Sequence, residues 1–431
     1  MTSGLTASAS HTSVTIPLTL TRSADPTKAK LGQELDGIPL LQWHMRLLAP
    51  SEITRAVVVA GHLGKQVDAL TKQVVPLGMD LSVIHEAEQR GTVAALSLAA
   101  HETQGDEFLV ILGDILMSLP IQQFLDEWRA SNNSVAVVVH PSTHPEDSDA
   151  AFPTHDGRVL VVPKSQPRDH IPNMSSAGLF AISRAGLQQY ADLKDFGSNV
   201  LPAAAEAGDL FAFVSSHYLK DTGTPARLEA AQGDIERGSF ARRGDLGPRA
   251  ALFLDRDGVI NPSHPEFHRA EGYELLPGVP EAIAEANRAG IPTIVITNQP
   301  AIAKGFMTFD EHQRIRAAMD RLLGSRGAFV DDYLFCPHHP ETGFDGEIPE
   351  LKTVCDCRKP SPGLLREAAQ RHALDLTRSA MVGDTDRDHG AAQAVGTHFV
   401  HVCDDCSVPD REDCFEASAD AIRRGIEVVT C

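Results

Sequence analysis

The run A-L-F-L-D-R-D-G-V at residues 251–259 decides the fold. Four apolar residues read as a short buried strand, Ala251–Leu254, and two aspartates one residue apart follow it at once. Thr293–Thr297 and Ala380–Val382 read as further buried strands, and helical patterns fill the intervals. One interval starts with Thr308 and Glu311, a capping box ahead of Ile315, Ala318, Met319 and Leu322. In another, Ser361 and Pro362 stand at the N-cap and first-turn positions. Strands alternating with helices imply a parallel sheet covered by helices, with ligands beyond the carboxyl ends of the strands. Asp255 and Asp257, Thr297 and Asn298, and Gly383 and Asp384 are therefore expected at one rim.

Working outward, the stretch 232–249 is glycine-rich, charged and without apolar periodicity, and is read as a linker. It divides the chain of 431 residues into a domain over 13–231 and a second over 250–431. The fold class is α/β, two Rossmann-like domains with mainly parallel sheets. Residues 1–12, rich in Ser, Thr and Ala, are expected to be a disordered tail, with neither the basic start nor the apolar stretch of a signal peptide. The apolar runs are strand-sized, too short to cross a bilayer. The formal net charge of −20 argues against a nucleic-acid partner. The seven cysteines, odd in number, favour reduced thiols or a metal site, with the cytoplasm as compartment. An oligomer stays open.

Two adjacent aspartates raise one another's pKa unless a cation intervenes. Magnesium would relieve that repulsion and takes few protein oxygens beside water and phosphate. Asp384 offers a third oxygen, and Lys359 and Thr297 can hold phosphoryl oxygens. Asp255 is then placed to attack phosphorus and form an aspartyl-phosphate, and Asp257 to protonate the leaving oxygen and later activate water. D-R-D-G-V at 255–259, T-N-Q at 297–299, R-K-P at 358–360 and G-D-T-D-R-D at 383–388 occur in that order. Just before the third, C-P-H at 336–338 and C-D-C at 355–357 offer two compact ligand pairs. Cys336, His338, Cys355 and Cys357 would complete a closed, structural zinc site. Cys403, Cys406 and Cys414, near His401, match no established spacing and are read as surface thiols, as is the terminal Cys431.

With these motifs the second half resembles the haloacid-dehalogenase superfamily of phosphatases. Within it, the chain is most similar to the branch with D-glycero-D-manno-heptose 1,7-bisphosphate and histidinol-phosphate phosphatases, over roughly residues 250 to 402. The resemblance implies a haloacid-dehalogenase-type fold with a zinc-stapled loop, Asp255 as nucleophile and Asp257 as acid–base. It places magnesium on Asp255, the backbone carbonyl of Asp257, and Asp384, with Asp388 just outside the ligands. Phosphate falls to Thr297, Asn298, Arg358 and Lys359. The pattern departs at Ser263 and Pro265, at Pro300-Ala301 and at Thr385, all of which leave the nucleophile untouched.

The first half resembles sugar-1-phosphate nucleotidyltransferases through E-A-E-Q-R-G-T-V-A-A-L at 86–96, L-G-D at 112–114, S-A-G-L-F at 176–180 and D-T-G-T-P at 221–225. This implies Asp114 and Asp221 as magnesium carboxylates and Lys164 as a sugar-phosphate ligand. The family's glycine-rich triphosphate loop is absent. Residues 16–28 hold two prolines and no glycine, a poor phosphate nest, in which Arg22 and Lys28 are the groups left to meet phosphates.

The leading expectation is a magnesium-dependent phosphatase of phosphorylated sugars, acting on the C7 phosphate of a heptose 1,7-bisphosphate. One alternative is a bifunctional enzyme that also binds a nucleoside triphosphate and transfers a nucleotide to heptose 1-phosphate. Another is a histidinol-phosphate or other small phosphomonoester phosphatase, its first domain a binding or dimerisation module.

Overall fold

The computed structural model describes residues 14–19, 29–61, 63–88, 90–103, 105–142, 148–168, 170–244, 246–263, 269–403 and 413–430. The tail 1–12, Arg22, Lys28, Pro265, Cys406 and Cys431 lie outside them.

The second domain carries a six-stranded sheet. In order across it run Asp332–Cys336, Thr293–Asn298, Leu252–Leu254, Ala380–Gly383, His398–Val402 and Cys414–Phe415. Every pairing is parallel, as the strand–helix alternation predicts. Side chains alternate across the sheet. Leu252, Leu254, Val295 and Val382 pack with Ile283, Ile315, Met319 and Ile422 from one layer of helices. Phe253, Ile294, Ile296 and Met381 pack on Leu364, Leu365 and Ala391 from the other. The Leu252–Leu254 strand, covered on both faces, lies in the middle. Thr308 and Glu311 close their capping box at the start of the helix Phe309–Gly324. Ser361 does not cap: its amide closes a turn onto the Arg358 carbonyl, and the helix Gly363–His372 starts after Pro362.

The first sheet is mixed, with parallel and antiparallel pairings. Val14–Thr19, Arg55–Ala60, Asp80–His85 and Glu107–Leu112 are joined by parallel pairings. The long strand Ser175–Ser183 runs antiparallel to both Glu107–Leu112 and Val135–His140. No helix lies between Val159–Val162 and Ser175 among the described residues. The reversal is made by the hairpin of Ala150–Pro153 and Val159–Val162, which pair antiparallel and so need no helical crossover.

The stretch 232–249 is not featureless. Thr224 caps the helix Pro225–Glu236, which enters it, and the short helix Ser239–Arg243 follows. Arg243 is buried and paired with Asp331 of the second domain. Arg249, also buried, donates to the Ser216 and His372 carbonyls, one on each side of the junction. Among the described residues no helix is long and apolar enough to cross a membrane.

Candidate active site

The parallel register brings three strand ends together. Leu254 lies between Val295 and Val382, so Asp255 leaves the sheet between Thr297 and Asp384. The Asp255 amide donates to the Val382 carbonyl at 3.0 Å. The chain then turns at Gly258, φ +87°, where a β-carbon would stand 2.1 Å from Asp384 Oδ2. Only glycine permits both that backbone and that approach.

Lys359 reaches the same point from the loop before Gly363–His372. Its Nζ lies 2.8 Å from Asp255 Oδ1 and 2.6 Å from Asp388 Oδ1, and donates to the Ile296 carbonyl at 2.7 Å. Burial pushes the Asp255 carboxyl well above its usual range, against the pull of Lys359 and with help from Asp388 and Asp257. Burial and then Asp388 push the Asp384 carboxyl up to about 6. Asp388 has a second duty: it closes a capping box with Thr385 at the start of the helix Asp386–Gln393. That is the role of the threonine at the departure noted at 385.

Oxygens of Asp255, Asp384 and Asp388 lie within 4.8 Å of one another, and Asp384 Oδ1 is buried without a hydrogen-bond partner. An orphaned carboxylate oxygen in an acidic pocket fits a hard divalent cation such as magnesium. Asp388, expected just outside the ligands, lies with the other two, and the Asp257 side chain, of which only the backbone carbonyl was expected at the metal, stands apart. The Asp257 carboxylate instead accepts from Arg256, from Asn261 Nδ2 at 3.0 Å and from Gln299 Nε2 at 2.9 Å. Burial alone would raise its pKa, but Arg256 and these donors outweigh it and hold it below the usual value. Gln299 also donates to Thr297 Oγ1 at 3.0 Å, and Tyr273 donates to Asn261 Oδ1. Arg256, Asn261 and Gln299 carry no role in the sequence reading. The only signal was their place inside or beside the motifs.

The four phosphate candidates separate. Thr297 and Lys359 are buried at the rim. Asn298 turns its side chain to the Lys359 backbone, donating to the carbonyl and accepting from the amide, both at 3.0 Å. It positions the lysine. Arg358 points its guanidinium to the His338 carbonyl, toward the cysteine loop.

That loop gathers as expected. Cys357 Sγ lies 3.2 Å from the sulfurs of both Cys336 and Cys355 and 3.2 Å from His338 Nδ1. Cys336 Sγ is 3.6 Å from Cys355 Sγ and from His338 Nδ1. Three sulfurs and one nitrogen at such separations suit a tetrahedral ion with metal–ligand bonds of about 2.0–2.3 Å.

The reading of Cys403 and Cys414 as surface thiols is corrected, since the two are joined as a disulfide. The pairing of His401 with Cys414 across neighbouring strands brings them together, which spacing alone does not reveal.

In the first domain Asp114, Lys164 and Asp221 line one cavity of about 490 Å³. Asp221 pairs with Ile115 across an antiparallel ladder, so it sits beside Asp114. A β-carbon on Gly223 would lie 2.9 Å from Asp221 Oδ1 and 3.1 Å from Asp114 Oδ2. Lys30, absent from the sequence reading, lies 2.5 Å from Asp114, and Arg227 lies 2.7 Å from Asp221. Asn287, Arg288 and Phe329 of the second domain also line this cavity.

Comparison with known proteins follows the same division. Residues 16–238 match the nucleotidyl transferase family, and residues 356–424 match a HAD-hydrolase-like family. The D-glycero-beta-D-manno-heptose-1,7-bisphosphate 7-phosphatase of Escherichia coli (strain K12) is 41% identical over 149 residues, which cover 34% of this chain and 76% of that protein. The protein of the same name from Rhodopseudomonas palustris is 38% identical over 148 residues, 34% of this chain and 80% of that one. Among solved structures, D,D-heptose 1,7-bisphosphate phosphatase from B. bronchiseptica, complexed with magnesium and phosphate, is 30% identical. It covers 41% of this chain and 98% of its own, with a TM-score of 0.36.

Proposed function

The chain belongs to the nucleotidyl transferase family over its first domain and to the HAD-like phosphatases over its second. From that premise we propose that the second domain removes the C7 phosphate of D-glycero-D-manno-heptose 1,7-bisphosphate. The observation that carries the reaction is Lys359, buried and ion-paired with Asp255 and Asp388 beside the unpartnered oxygen of Asp384. A magnesium ion held by Asp255, Asp384 and the Asp257 carbonyl would neutralise the carboxylates and the phosphoryl charge. A carboxylate oxygen of Asp255 attacks phosphorus, and the bond from phosphorus to the sugar oxygen breaks. Asp257 takes up a proton when the phosphoryl anion enters and offsets the pull of Arg256, and it delivers that proton to the sugar oxygen, releasing sugar 1-phosphate. Water, deprotonated by Asp257, then attacks the aspartyl-phosphate, frees inorganic phosphate and restores Asp255. Lys359 offsets charge on the phosphoryl oxygens throughout, and Thr297 offers them a hydroxyl.

The heptose assignment is supported by the names of the relatives. Phosphate release is measured with magnesium from sugar bisphosphates, sugar monophosphates and histidinol phosphate, wild type beside Asp255→Asn. Turnover of the heptose bisphosphate by wild type alone is expected. Turnover of another monoester alone would discard the heptose, and equal turnover by the variant would discard the nucleophile.

The convergence of Asp114, Lys164 and Asp221 on one cavity favours a second reading, in which the first domain transfers a nucleotide to the heptose 1-phosphate formed. Pyrophosphate release from nucleoside triphosphates with that sugar tests it. No release, with an unaltered phosphatase, would leave the first domain a sugar-phosphate-binding module.

A further inference from the structure

Beyond the candidate active site and the Cys336–Cys357 loop, one other group of metal-ligating side chains comes together among the described residues. His401 Nδ1 and the sulfurs of Cys403 and Cys414 lie within 4.8 Å of one another. Their backbone is fixed by the edge of the second sheet: His401 pairs with Cys414, the His401 amide donates to the Asp413 carbonyl at 2.9 Å, and the Cys403 amide to the Phe415 carbonyl at 3.0 Å. The imidazole is buried and oriented at both ends. Nε2 lies 3.3 Å from the Asp384 carbonyl, while Nδ1 faces Cys414 Sγ at 3.8 Å. A carbonyl accepts only, so Nε2 carries the proton, and Nδ1 is the ring nitrogen on the sulfur side. A histidine that ligates a metal through one nitrogen characteristically donates from the other to a backbone carbonyl.

We propose that His401, Cys403 and Cys414 form a second zinc-class metal site in the reduced chain. A dithiol reductant exchanges with the Cys403–Cys414 bond, its own two thiols closing to a disulfide as each protein sulfur becomes a thiol; with a phosphine, the phosphine supplies the two electrons and water the two protons and the oxygen of the phosphine oxide. Both thiol protons leave as the ion binds, and two thiolates and one imidazole fill three of its four tetrahedral positions. The site adjoins the catalytic rim through the Asp384 carbonyl, so the ion also fixes the strand end that carries Asp384.

The test is zinc content by elemental analysis of the full chain, purified without chelator in the presence of a phosphine reductant. Wild type is compared with the Cys403→Ser/Cys414→Ser double variant. The wild type is expected to hold one equivalent of zinc more than the double variant, and the same difference is expected for His401→Ala. Equal zinc content in wild type and double variant would overturn the proposal. A cobalt(II) titration guards against a folding defect in the variants. Reduced wild type should develop thiolate-to-cobalt absorbance in two successive equivalents. Saturation of that band at one equivalent would overturn the proposal without any variant.

Discussion

Replacing Gly258 with alanine tests the geometry of the rim at one atom. The added β-carbon would stand 2.1 Å from Asp384 Oδ2, where ordinary contact starts at 3.4 Å, and φ is +87°. The backbone cost of a side chain in left-handed territory is about 1–2 kcal/mol. A domain of this size loses about 2–4 °C of Tm per kcal/mol, so a drop of about 2–8 °C is expected. The larger effect is on chemistry. Asp384 must retreat by about 1.3 Å, and displacements near 1 Å at a reacting centre cost about 100-fold in rate. That corresponds to about 2.7 kcal/mol of transition-state stabilisation. The assay is steady-state phosphate release across a magnesium titration, with thermal unfolding alongside. Gly78 is the control: its φ is +88°, and no atom lies within 4 Å of its β-carbon position. Gly78→Ala should show the backbone cost and no loss of phosphatase rate. A Gly258→Ala enzyme within twofold of wild type would refute the reasoning, as would a Gly78→Ala enzyme impaired as much.

Three further substitutions probe the supports of the site. Asn298→Ala removes both bonds to the Lys359 backbone and should lower kcat/KM about 10-fold, or about 1.4 kcal/mol, with the fold intact. An unchanged rate would show that Lys359 needs no such support. Cys355→Ser should abolish zinc at the Cys336–Cys357 loop and lower its stability, read by metal analysis and protease sensitivity, because structural zinc contributes folding energy. A wild type that holds no metal there and loses nothing on mutation would contradict it. Asp332 lies 2.9 Å from both Arg371 and His372 Nε2. Burial alone would raise its pKa, but Arg371 and His372 outweigh it and hold it well below the ordinary value. A depressed carboxylate contributes stability above its unfolded pKa and loses it as pH falls toward the folded one. Asp332→Asn should therefore cost about 3 kcal/mol at pH 7, the low end for a buried pair because Arg371 is partly solvated. The gap to wild type should close as pH falls below about 4, and a gap constant with pH would rule out the ionic origin.

Much of the second domain was legible because its signals are local. A strand of three or four apolar residues and the aspartates at its exit are contiguous in the chain. Parallel topology then dictates that such exits share a rim, so Asp255, Thr297 and Asp384 could be placed together before any coordinates. The same holds for the Thr308–Glu311 box and for the paired cysteine and histidine side chains of the cysteine loop, whose spacing carries its own geometry. What the structure alone decided depends on residues distant in sequence. Asn261 and Gln299 meet at Asp257, and Asn298 turns to grip the Lys359 backbone. Lys30 crosses 84 residues to reach Asp114. Ser175–Ser183 enters the first sheet in reverse, and Cys403 meets Cys414 only because two neighbouring strands share a register. Periodicity and spacing specify which face a residue presents and how a turn closes. They leave open which distant segment arrives opposite, because packing selects that partner after the local elements have formed.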